Sequence, residues 1–231
     1  MKSHARVVVI GGGVVGVSTL YHLAKKGWSD VVLVERKELT SGSTWHAAGL
    51  LPLFNMSYSV GQIHKYSVKF YQELQEETGM NVGFRNVSNI RLASTQDRMD
   101  EYRQYAGVAS TIGVDVQLLT PDEIKHYWPM CNTDGLIGGI RHPDDGYIQP
   151  ADLTQALARG ARDRGAEIYR NTTVTAIERS DSGSWKVTTD KGEITCEHIV
   201  SATGNFARKT GNMVGLNIPV IPVEHQYIVT E

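Results

Sequence analysis

The first regular pattern in the chain is Arg6-Val-Val-Val-Ile-Gly-Gly-Gly-Val-Val-Gly16. Its consecutive apolar β-formers predict a buried parallel strand, and the glycines that follow predict a tight turn. A helical pattern then runs from Val14 to about Lys26, Gly27 closes it, and Val31-Val-Leu-Val-Glu35 predicts a second strand. Together these elements predict a strand–helix–strand unit of the α/β class.

The spacing of Gly11, Gly13 and Gly16 is typical of a Rossmann-like dinucleotide site. Gly11 permits the turn, Gly13 lets the backbone approach a pyrophosphate, and Gly16 lets helix and strand pack closely. The amides at the helix start would hold the anion. Glu35 follows Gly16 by 19 residues, where a carboxylate accepts hydrogen bonds from a ribose. The alternative is a strand, turn and helix without a ligand.

The composition and net charge limit which kinds of partner the protein can bind. The 231 residues are 41% hydrophobic and 21% charged, which is typical of a globular protein. The formal net charge of −2 provides no long-range field for nucleic acid or an anionic membrane. No apolar run approaches the ~20 residues of a transmembrane helix. We therefore expect neither nucleic acid nor a membrane as a partner.

The cysteines and the first residues bear on the compartment. Cys131 and Cys196 are far apart and lack metal-ligand spacing, which predicts free thiols in a reducing compartment. His142 and Asp144–Asp145 form a loose polar cluster that a turn explains, so we expect no metal. The first strand begins within about five residues, so we expect no signal or transit peptide before it. The predicted location is the cytoplasm, or the mitochondrial matrix for a eukaryotic chain whose transit peptide has been removed.

A segment rich in small and hydroxylated residues follows the second strand, from Arg36 to Gly49. Trp45 and His46 stand within it. Such a segment can wrap closely around a flat ligand and offer donors to its phosphates. By composition alone it could equally be a plain loop.

The middle of the chain predicts a mixed α+β insert. Residues 60–77 predict an amphipathic helix whose stripe we interpret as core rather than as a binding face. That stripe consists of Ile63, Tyr66, Phe70 and Leu74. The further predicted elements are a strand pair at 82–85 and 89–93, a helix at 96–112 with Thr95 as N-cap, a helix start at Thr120-Pro-Asp-Glu123, and strands at 135–141 and 146–149.

From residue 150 the nucleotide-fold pattern returns. The predicted elements are a helix at 151–164, strands at 167–169 and 174–178, a hairpin at 186–189 and 193–196, a buried strand at 198–204, a short helix at 206–214, and an extended run at 218–231. The order predicts a discontinuous dinucleotide-binding domain at 1–50 and 150–215. An incomplete substrate domain with an antiparallel sheet occupies 51–149 and 216–231, interleaved with the first.

Five motifs together resemble one family, the FAD-dependent amine oxidoreductases of the D-amino-acid oxidase type. They are Gly11-Gly-Gly-Val-Val-Gly16, Glu35-Arg36, Ser43-Thr-Trp-His-Ala-Ala-Gly49, Asp145-Gly-Tyr147 with Pro150-Ala-Asp152, and Ala202-Thr-Gly204. The Ser43–Gly49 run and the closing Pro222–Thr230 run resemble most the subgroup of dimethylglycine and sarcosine dehydrogenases. The resemblance spans all 231 residues but only the first part of the family's length, so we expect a truncated chain.

The resemblance implies FAD as the cofactor. Val14 and Val15 would present helix-start amides to its pyrophosphate, and Glu35 and Arg36 would hold the adenosine. Val174 would offer backbone groups to the adenine. The predicted cofactor-binding residues are Gly11, Gly13, Val14, Val15, Gly16, Glu35, Arg36, Gly42, Ser43, Thr44, Trp45, His46, Ala47, Ala48, Gly49, Leu50, Val174 and Gly204.

Two histidines receive roles from the resemblance. His46 matches the histidine that this subgroup joins covalently to the 8α carbon of the flavin; the alternative is a loop residue beside a non-covalent flavin. His225 matches a histidine on the strand that faces the substrate side, and we predict it to be catalytic. An imidazole that titrates near neutrality suits the handling of a substrate amine. The alternative is a strand residue that only packs.

The implied reaction is oxidative demethylation of a small N-methyl amino acid such as dimethylglycine or sarcosine, with hydride transfer from the methyl carbon to FAD. Electrons would pass to oxygen or to an electron-transfer flavoprotein, and a full-length relative would add a tetrahydrofolate-binding region. Two alternatives remain open. One is a non-catalytic relative that resembles the regulatory subunit of pyruvate dehydrogenase phosphatase, and the other is an NAD-dependent dehydrogenase.

Overall fold

The structure is a computed structural model that describes residues 1–228. The chain forms two compact units: Met1–Ala47 with Pro150–Glu231, and Ala48–Gln149. The helices and strands are β1 (His4–Ile10), α1 (Val14–Lys25), β2 (Val31–Val34), β3 (Leu50–Leu51), α2 (Tyr58–Thr78), β4 (Arg85–Asn86), β5 (Asn89–Ala93), α3 (Gln96–Ile112), β6 (Gln117–Leu119), α4 (Pro121–Tyr127), β7 (Gly138–His142), β8 (Gly146–Tyr147), α5 (Pro150–Asp163), β9 (Glu167–Tyr169), β10 (Val174–Arg179), β11 (Trp185–Thr189), β12 (Gly192–Ser201) and α6 (Ala207–Asn212).

The first unit is built on a six-stranded sheet in the order β10-β11-β12-β1-β2-β9. Strands β12, β1, β2 and β9 are parallel, with Val8 opposite both Ile199 and Val32. The strands β10 and β11 continue the sheet as an antiparallel meander. Every residue of β2 is buried, as the apolar run predicts for a strand covered on both faces. Helices α1 and α5 pack against each other. The mixed α/β fold with a Rossmann-like core is confirmed.

One prediction for this unit is wrong. The segments predicted as separate strands at 193–196 and 198–204 belong to one continuous strand, β12, which ends at Ser201, so residues 202–204 lie outside it. Its amino-terminal half pairs with β11, and most of its length pairs with β1. The second half is also less buried than predicted, because His198 and Ser201 are exposed. The polar pair Glu197–His198 resembles a break in the sequence. Both side chains are exposed although adjacent strand residues point to opposite faces, so neither face of β12 is fully covered at this point.

The second unit contains two small antiparallel sheets in the orders β3-β8-β4 and β5-β7-β6. The predicted pairing of 82–85 with 89–93 is wrong. Strand β4 pairs with β8, and β5 pairs with β7, so neighbours in sequence belong to different sheets. Strands β3 and β6 were not predicted, since two or three residues are too few to show a periodicity. Long-range pairing of this kind is set by tertiary contacts.

The helix starts in this unit follow the predicted capping chemistry. The hydroxyl of Thr95 accepts a hydrogen bond from the Arg98 amide at 3.3 Å and caps α3. Thr120 and Glu123 form both bonds of a capping box at the start of α4. Each cap satisfies amides that the helix itself leaves unpaired. Both predicted caps are confirmed.

The interpretation of the α2 stripe as core holds only for its second half. Phe70 and Leu74 are buried, but Ile63 is 62% exposed and Tyr66 is 53% exposed. The helix spacing places all four on one face, yet only the last two turns of that face meet packed residues. Spacing defines a face of a helix, but it does not say how far along the helix that face is covered.

The terminal run forms no strand within residues 216–228, in keeping with the irregular character that Pro219 and Pro222 predict. This run belongs to the first compact unit, whereas the sequence predicts that it joins the insert. Its first residues pack on α6, since the Leu216 amide bonds the Gly211 carbonyl. The rest of the predicted run, residues 229–231, lies outside the described residues. In residues 1–228 no helix is long and apolar enough to cross a membrane.

Candidate functional site

The glycine turn between β1 and α1 leaves no room for side chains. Gly11 has φ +116°, a region that favours glycine, and a Cβ there would lie 2.4 Å from the Ala202 carbonyl oxygen. A Cβ on Gly16 would lie 1.9 Å from the Gly11 carbonyl oxygen. The turn therefore brings β1, α1 and the end of β12 into backbone contact. Only glycine at these two positions permits this packing.

The amino terminus of α1 has the properties of an anion site. Gly13 is the N-cap residue and makes no side-chain capping bond, and the first turn contains no acidic residue. Val15 is 66% exposed. The Val14 amide donates a hydrogen bond of 3.0 Å to the Thr44 hydroxyl. The positive end of the helix dipole is thus opposed by a hydroxyl group and by no carboxylate of its own first turn.

The Glu35 carboxylate is fixed at the carboxyl end of β2. Its Oε2 accepts the Gly12 amide at 2.7 Å, and its Oε1 accepts the Lys37 amide at 2.8 Å. Each oxygen keeps a further lone pair, so the group can still accept hydroxyl donors. The next residue, Arg36, stacks its guanidinium 3.8 Å from the centre of the Phe206 ring. The end of β2 therefore holds an acceptor and a cation side by side.

The small-residue segment after β2 returns to the glycine turn. The Thr40 amide bonds the Gly12 carbonyl at 2.9 Å. Residues Ser43–His46 form a short 3-10 helix. The Asn205 amide group donates to the Ser43 hydroxyl at 3.3 Å. The segment is thus attached to the turn and to the segment that follows β12, which a plain loop would not require.

Trp45 and His46 stand exposed on this 3-10 helix, and Trp45 is 53% exposed. Their rings lie 3.8 Å apart, centre to centre, at an angle of 36°. The Nδ1 atom of His46 lies 3.4 Å from the Tyr227 hydroxyl. His225 is also exposed, and within residues 1–228 no hydrogen bond or ring contact joins it to His46. The structure therefore brings Tyr227, and not His225, to His46.

The predicted cofactor residues do not all belong to one compact unit. Ala48, Gly49 and Leu50 belong to the second unit. There the Gly49 carbonyl accepts the Ile148 amide at 2.8 Å, and Leu50 pairs with Tyr147 across β3 and β8. Leu50 is 68% exposed and Tyr147 is 43% exposed. This short sheet thus presents two apolar side chains to solvent.

Two further predicted residues lie at the edges of the first unit's sheet. Val174 begins β10, where it pairs with Thr189, and its half-buried side chain packs against the sheet core. Gly204 has φ +53° and begins the 3-10 helix Gly204–Phe206, and a Cβ there would meet open space. The roles of both residues toward a cofactor remain predictions.

His142 and Asp145 form a polar cluster in the second unit. The sequence predicts only a turn here, but both side chains are buried. His142 is fully buried, and neither of its ring nitrogens has a hydrogen-bond partner within the described residues. Burial lowers its pKa to about 4, helped by the Arg91 charge. Burial raises the pKa of Asp145 to about 6, although the Leu53 amide donates to that carboxylate at 2.8 Å. Asp145 therefore ties two distant segments together.

No group of three or more potential metal ligands occurs within residues 1–228. Cys131 and Cys196 are buried free thiols. Burial raises the pKa of Cys196 to about 11, which keeps its thiol protonated and unreactive at neutral pH. These cysteines therefore contribute to packing.

Three side-chain contacts of this site were not predicted from the sequence. Asn205, Phe206 and Tyr227 each contact the segment after β2 from positions more than 160 residues along the chain. A single asparagine or aromatic residue at such a distance carries no periodic signal. The exception is the closing run around Tyr227, whose resemblance to one subgroup marks it as a segment of interest.

The residues present fit an FAD. The turn leaves Gly13 and Val14 half-buried and Val15 exposed, the helix end favours a phosphate, and the Glu35 oxygens suit ribose hydroxyls. Gly42, with open space around its Cα, lets a ligand approach the following 3-10 helix closely. A dinucleotide carries a pyrophosphate next to a ribose, and these groups match the helix start and Glu35 in turn.

Comparison with known proteins bears on the family. The model of the family "DAO: FAD dependent oxidoreductase" matches residues 6–231. Dimethylglycine dehydrogenase from Homo sapiens is 45% identical over 229 residues, which are 99% of this chain and 26% of that protein. Sarcosine dehydrogenase from Homo sapiens is 39% identical over 237 aligned residues, with 100% and 26% covered. The regulatory subunit of pyruvate dehydrogenase phosphatase from Mus musculus is 34% identical, with the same shares covered.

Among solved structures, L-proline dehydrogenase from P. horikoshii superposes with a TM-score of 0.87 at 27% identity, covering 93% of this chain and 57% of that one. The chain spans about a quarter of the length of the curated relatives that it matches. The family match covers nearly every residue, including the glycine turn and the segment that carries His46. The chain therefore belongs to the DAO family of FAD-dependent oxidoreductases.

Proposed function

We propose that this chain is the FAD-holding part of an enzyme that oxidises a small N-methyl amino acid of the dimethylglycine or sarcosine class. The observation that carries the proposal is the start of α1, where Gly13 offers no capping side chain and Thr44, from the exposed His46 segment, accepts the Val14 amide. The dimethylglycine and sarcosine dehydrogenases named above share 39–45% identity with this chain, and this supports the substrate class.

The first compact unit, with its turn and β2 end, would be the FAD-binding domain, and the second would contribute to the substrate domain. Gly11, Gly13 and Gly16 would allow the pyrophosphate to reach the Val14 and Val15 amides. Glu35 would accept hydrogen bonds from the adenosine ribose, and Arg36 would lie beside the adenosine. The hydroxyls of Ser43 and Thr44 would supply further donors once a phosphate replaces their present partners.

We propose that His46 attaches covalently to the 8α carbon of the flavin. Its exposure on the 3-10 helix supports this role, because an imidazole packed inside the core could not reach a ligand. Attachment would prevent loss of the cofactor. Bound FAD would supply a two-electron acceptor for the substrate. The residues of the chain would hold the cofactor and position the substrate's methyl carbon against it.

His225 is the proposed catalytic residue. It is exposed and belongs to the same compact unit as His46. An imidazole can take the proton from a substrate ammonium group near neutral pH, and an amine must be unprotonated to lose a hydride from its methyl carbon. Replacement of His225 by Gln would then lower the rate and shift its pH profile while FAD binding stays unchanged.

The remaining partners are also proposals. Electrons would leave the reduced cofactor for oxygen or an electron-transfer flavoprotein, and the one-carbon product could pass to tetrahydrofolate in a longer relative. The compartment would be the cytoplasm or the mitochondrial matrix. The names of the dimethylglycine and sarcosine dehydrogenases include "mitochondrial", which supports the mitochondrial matrix for a eukaryotic source.

A second candidate function is a non-catalytic regulatory role, because the phosphatase regulatory subunit is 34% identical over the whole chain. An NAD-dependent dehydrogenase would use the same glycine turn, but it would not need the His46 segment. Absorbance separates the three: a flavin band that survives denaturation favours the proposed enzyme, a colourless folded protein favours the regulator, and nicotinamide binding favours the dehydrogenase.

The decisive experiment is mass spectrometry of the purified, FAD-treated protein and its tryptic peptides. We expect a mass increase equal to one FAD less two hydrogen atoms on the peptide that contains His46, and none in His46→Ala. Oxidation of dimethylglycine and sarcosine with an artificial electron acceptor then tests the substrate class. A yellow protein whose His46 peptide is unmodified would refute attachment, and a full-length protein that turns over neither amine would refute the substrate class.

A further inference from the structure

The Tyr227 hydroxyl is the polar group that the fold brings to His46. The two side chains are 181 residues apart in sequence, yet the hydroxyl lies 3.4 Å from Nδ1 and the ring centres are 6.3 Å apart in an edge-to-face arrangement. The centre of the Trp45 ring also lies 3.8 Å from the centre of the imidazole. Two aromatic side chains therefore confine an imidazole that otherwise stands exposed on a four-residue 3-10 helix.

The atom that Tyr227 contacts matters for chemistry. A neutral imidazole carries its proton on one nitrogen and a lone pair on the other, and the hydrogen bond at one nitrogen decides which is which. When Nδ1–H donates to the tyrosine oxygen, Nε2 keeps the lone pair and faces away from Tyr227. Only a nitrogen with a free lone pair can form a bond to carbon.

We infer that Tyr227 is a positioning residue that holds His46 as the Nδ1–H tautomer and presents Nε2 as the nitrogen that bonds to the flavin. The inference rests on the proposed attachment at His46. In that reaction the Nε2–C8α bond replaces one C–H bond of the 8α methyl group. The imidazole and the methyl group each release a proton, and two electrons pass to an oxidant of the dioxygen class, which becomes hydrogen peroxide.

The expected size of the effect follows from the geometry. A separation of 3.4 Å is long for a hydrogen bond between nitrogen and oxygen, and both side chains are exposed, with Tyr227 at 56%. Loss of the hydroxyl should therefore slow covalent incorporation by about two- to tenfold, the factor of one ordinary net hydrogen bond. It should leave non-covalent FAD affinity unchanged, because the residues proposed to hold the phosphates and the adenosine do not include Tyr227.

The test compares the full-length chain with Tyr227→Phe, which removes only the hydroxyl. Tyr58→Phe is the matched control, because Tyr58 is 57% exposed and belongs to the other compact unit. The first measurement needs no cofactor: ring nitrogen chemical shifts of His46 in the ¹⁵N-labelled apoprotein report the tautomer. We expect a predominant Nδ1–H form in the wild type and in Tyr58→Phe, and a shift toward Nε2–H in Tyr227→Phe.

The second measurement follows acid-stable flavin fluorescence over time after FAD is added. Slower incorporation in Tyr227→Phe alone, with an unchanged dissociation constant before attachment, supports the inference. An identical tautomer in wild type and Tyr227→Phe would overturn it. If the tautomer responds but no variant retains flavin after acid treatment, the proposed attachment fails while the contact between Tyr227 and His46 stands.

Discussion

Two regions of this molecule are tightly packed for opposite reasons. The glycine turn, at Gly11–Gly16, packs backbone on backbone because side chains are missing. The cluster around His142 and Asp145 buries polar side chains, several of whose atoms have no hydrogen-bond partner within the described residues. The packing of the glycine turn is steric, so its stability depends little on solution conditions. The stability of the cluster depends on the protonation of His142 and Asp145. Adding a side chain at the glycine turn should therefore destabilise the fold. A change of pH should alter the stability that the cluster around His142 and Asp145 contributes.

The largest expected effect is steric. In Gly16→Ala the new Cβ would lie 1.9 Å from the Gly11 carbonyl oxygen, so α1 must move away from the turn. We expect a loss of about 3 kcal/mol or more in the free energy of unfolding, together with loss of FAD binding. Urea denaturation and fluorescence titration measure the two effects.

Gly107→Ala is the matched control, because it adds the same methyl group within α3, where nothing lies within 4 Å of the new Cβ. A helix interior favours alanine over glycine, so this variant should gain about 0.5–1 kcal/mol. Equal stability of the two variants would show that the close approach at Gly16 can relax without cost.

The next effect is a change in pH dependence. His142 is neutral when folded, with its pKa lowered to about 4, while the unfolded chain protonates this residue below about pH 6.5, so its contribution to stability rises with pH between those values. Asp145 behaves in the opposite way. Its folded pKa is raised to about 6 from 3.8, so its contribution is full below about pH 3.8 and is lost as the pH rises to about 6.

The two opposing slopes should nearly cancel in the wild type between about pH 4 and 6. In His142→Phe stability should fall across that range by about 2–3 kcal/mol, and in Asp145→Asn it should rise by a similar amount. Chemical denaturation at several pH values measures both slopes. Parallel curves for wild type and both variants would mean that neither group is perturbed by burial.

A smaller effect is expected where a side chain supports the glycine turn. Thr44→Val keeps the shape of residue 44 but removes the acceptor of the Val14 amide. Without FAD we expect a loss of about 0.5–1.5 kcal/mol, the usual net value of one hydrogen bond. With saturating FAD the difference should shrink if a phosphate takes the place of the hydroxyl. Thermal melting with and without FAD compares the two conditions, and a constant difference would argue against a phosphate at this amide.

The smallest effect is expected at the Asn205 contact with Ser43. The bond is 3.3 Å long and both residues are exposed, so Asn205→Ala should change stability by less than about 0.5 kcal/mol. If the contact instead aligns the cofactor segment, FAD affinity would fall while stability stays the same. Isothermal titration with FAD separates these outcomes.

The parts of this fold that were predictable are those in which neighbours in sequence decide the structure. The β1 turn and α1, the caps at Thr95 and Thr120, and the run of β2 each follow from residues a few positions apart. Strand partners were less predictable. β4 and β5 are neighbours in sequence but pair in different sheets, because the pairing energy depends on segments far along the chain.

The candidate site divides in the same way. The sequence by itself determined that Gly11, Gly13 and Gly16 stand between a strand and a helix, and that His46 lies in a small-residue segment after β2. Only the tertiary structure decided what those residues touch: Thr44 at the helix start, Asn205 at Ser43, and Tyr227 at His46. The reason is physical. Backbone sterics act locally and leave a pattern in the sequence, whereas a contact between two side chains exists only after distant segments have packed.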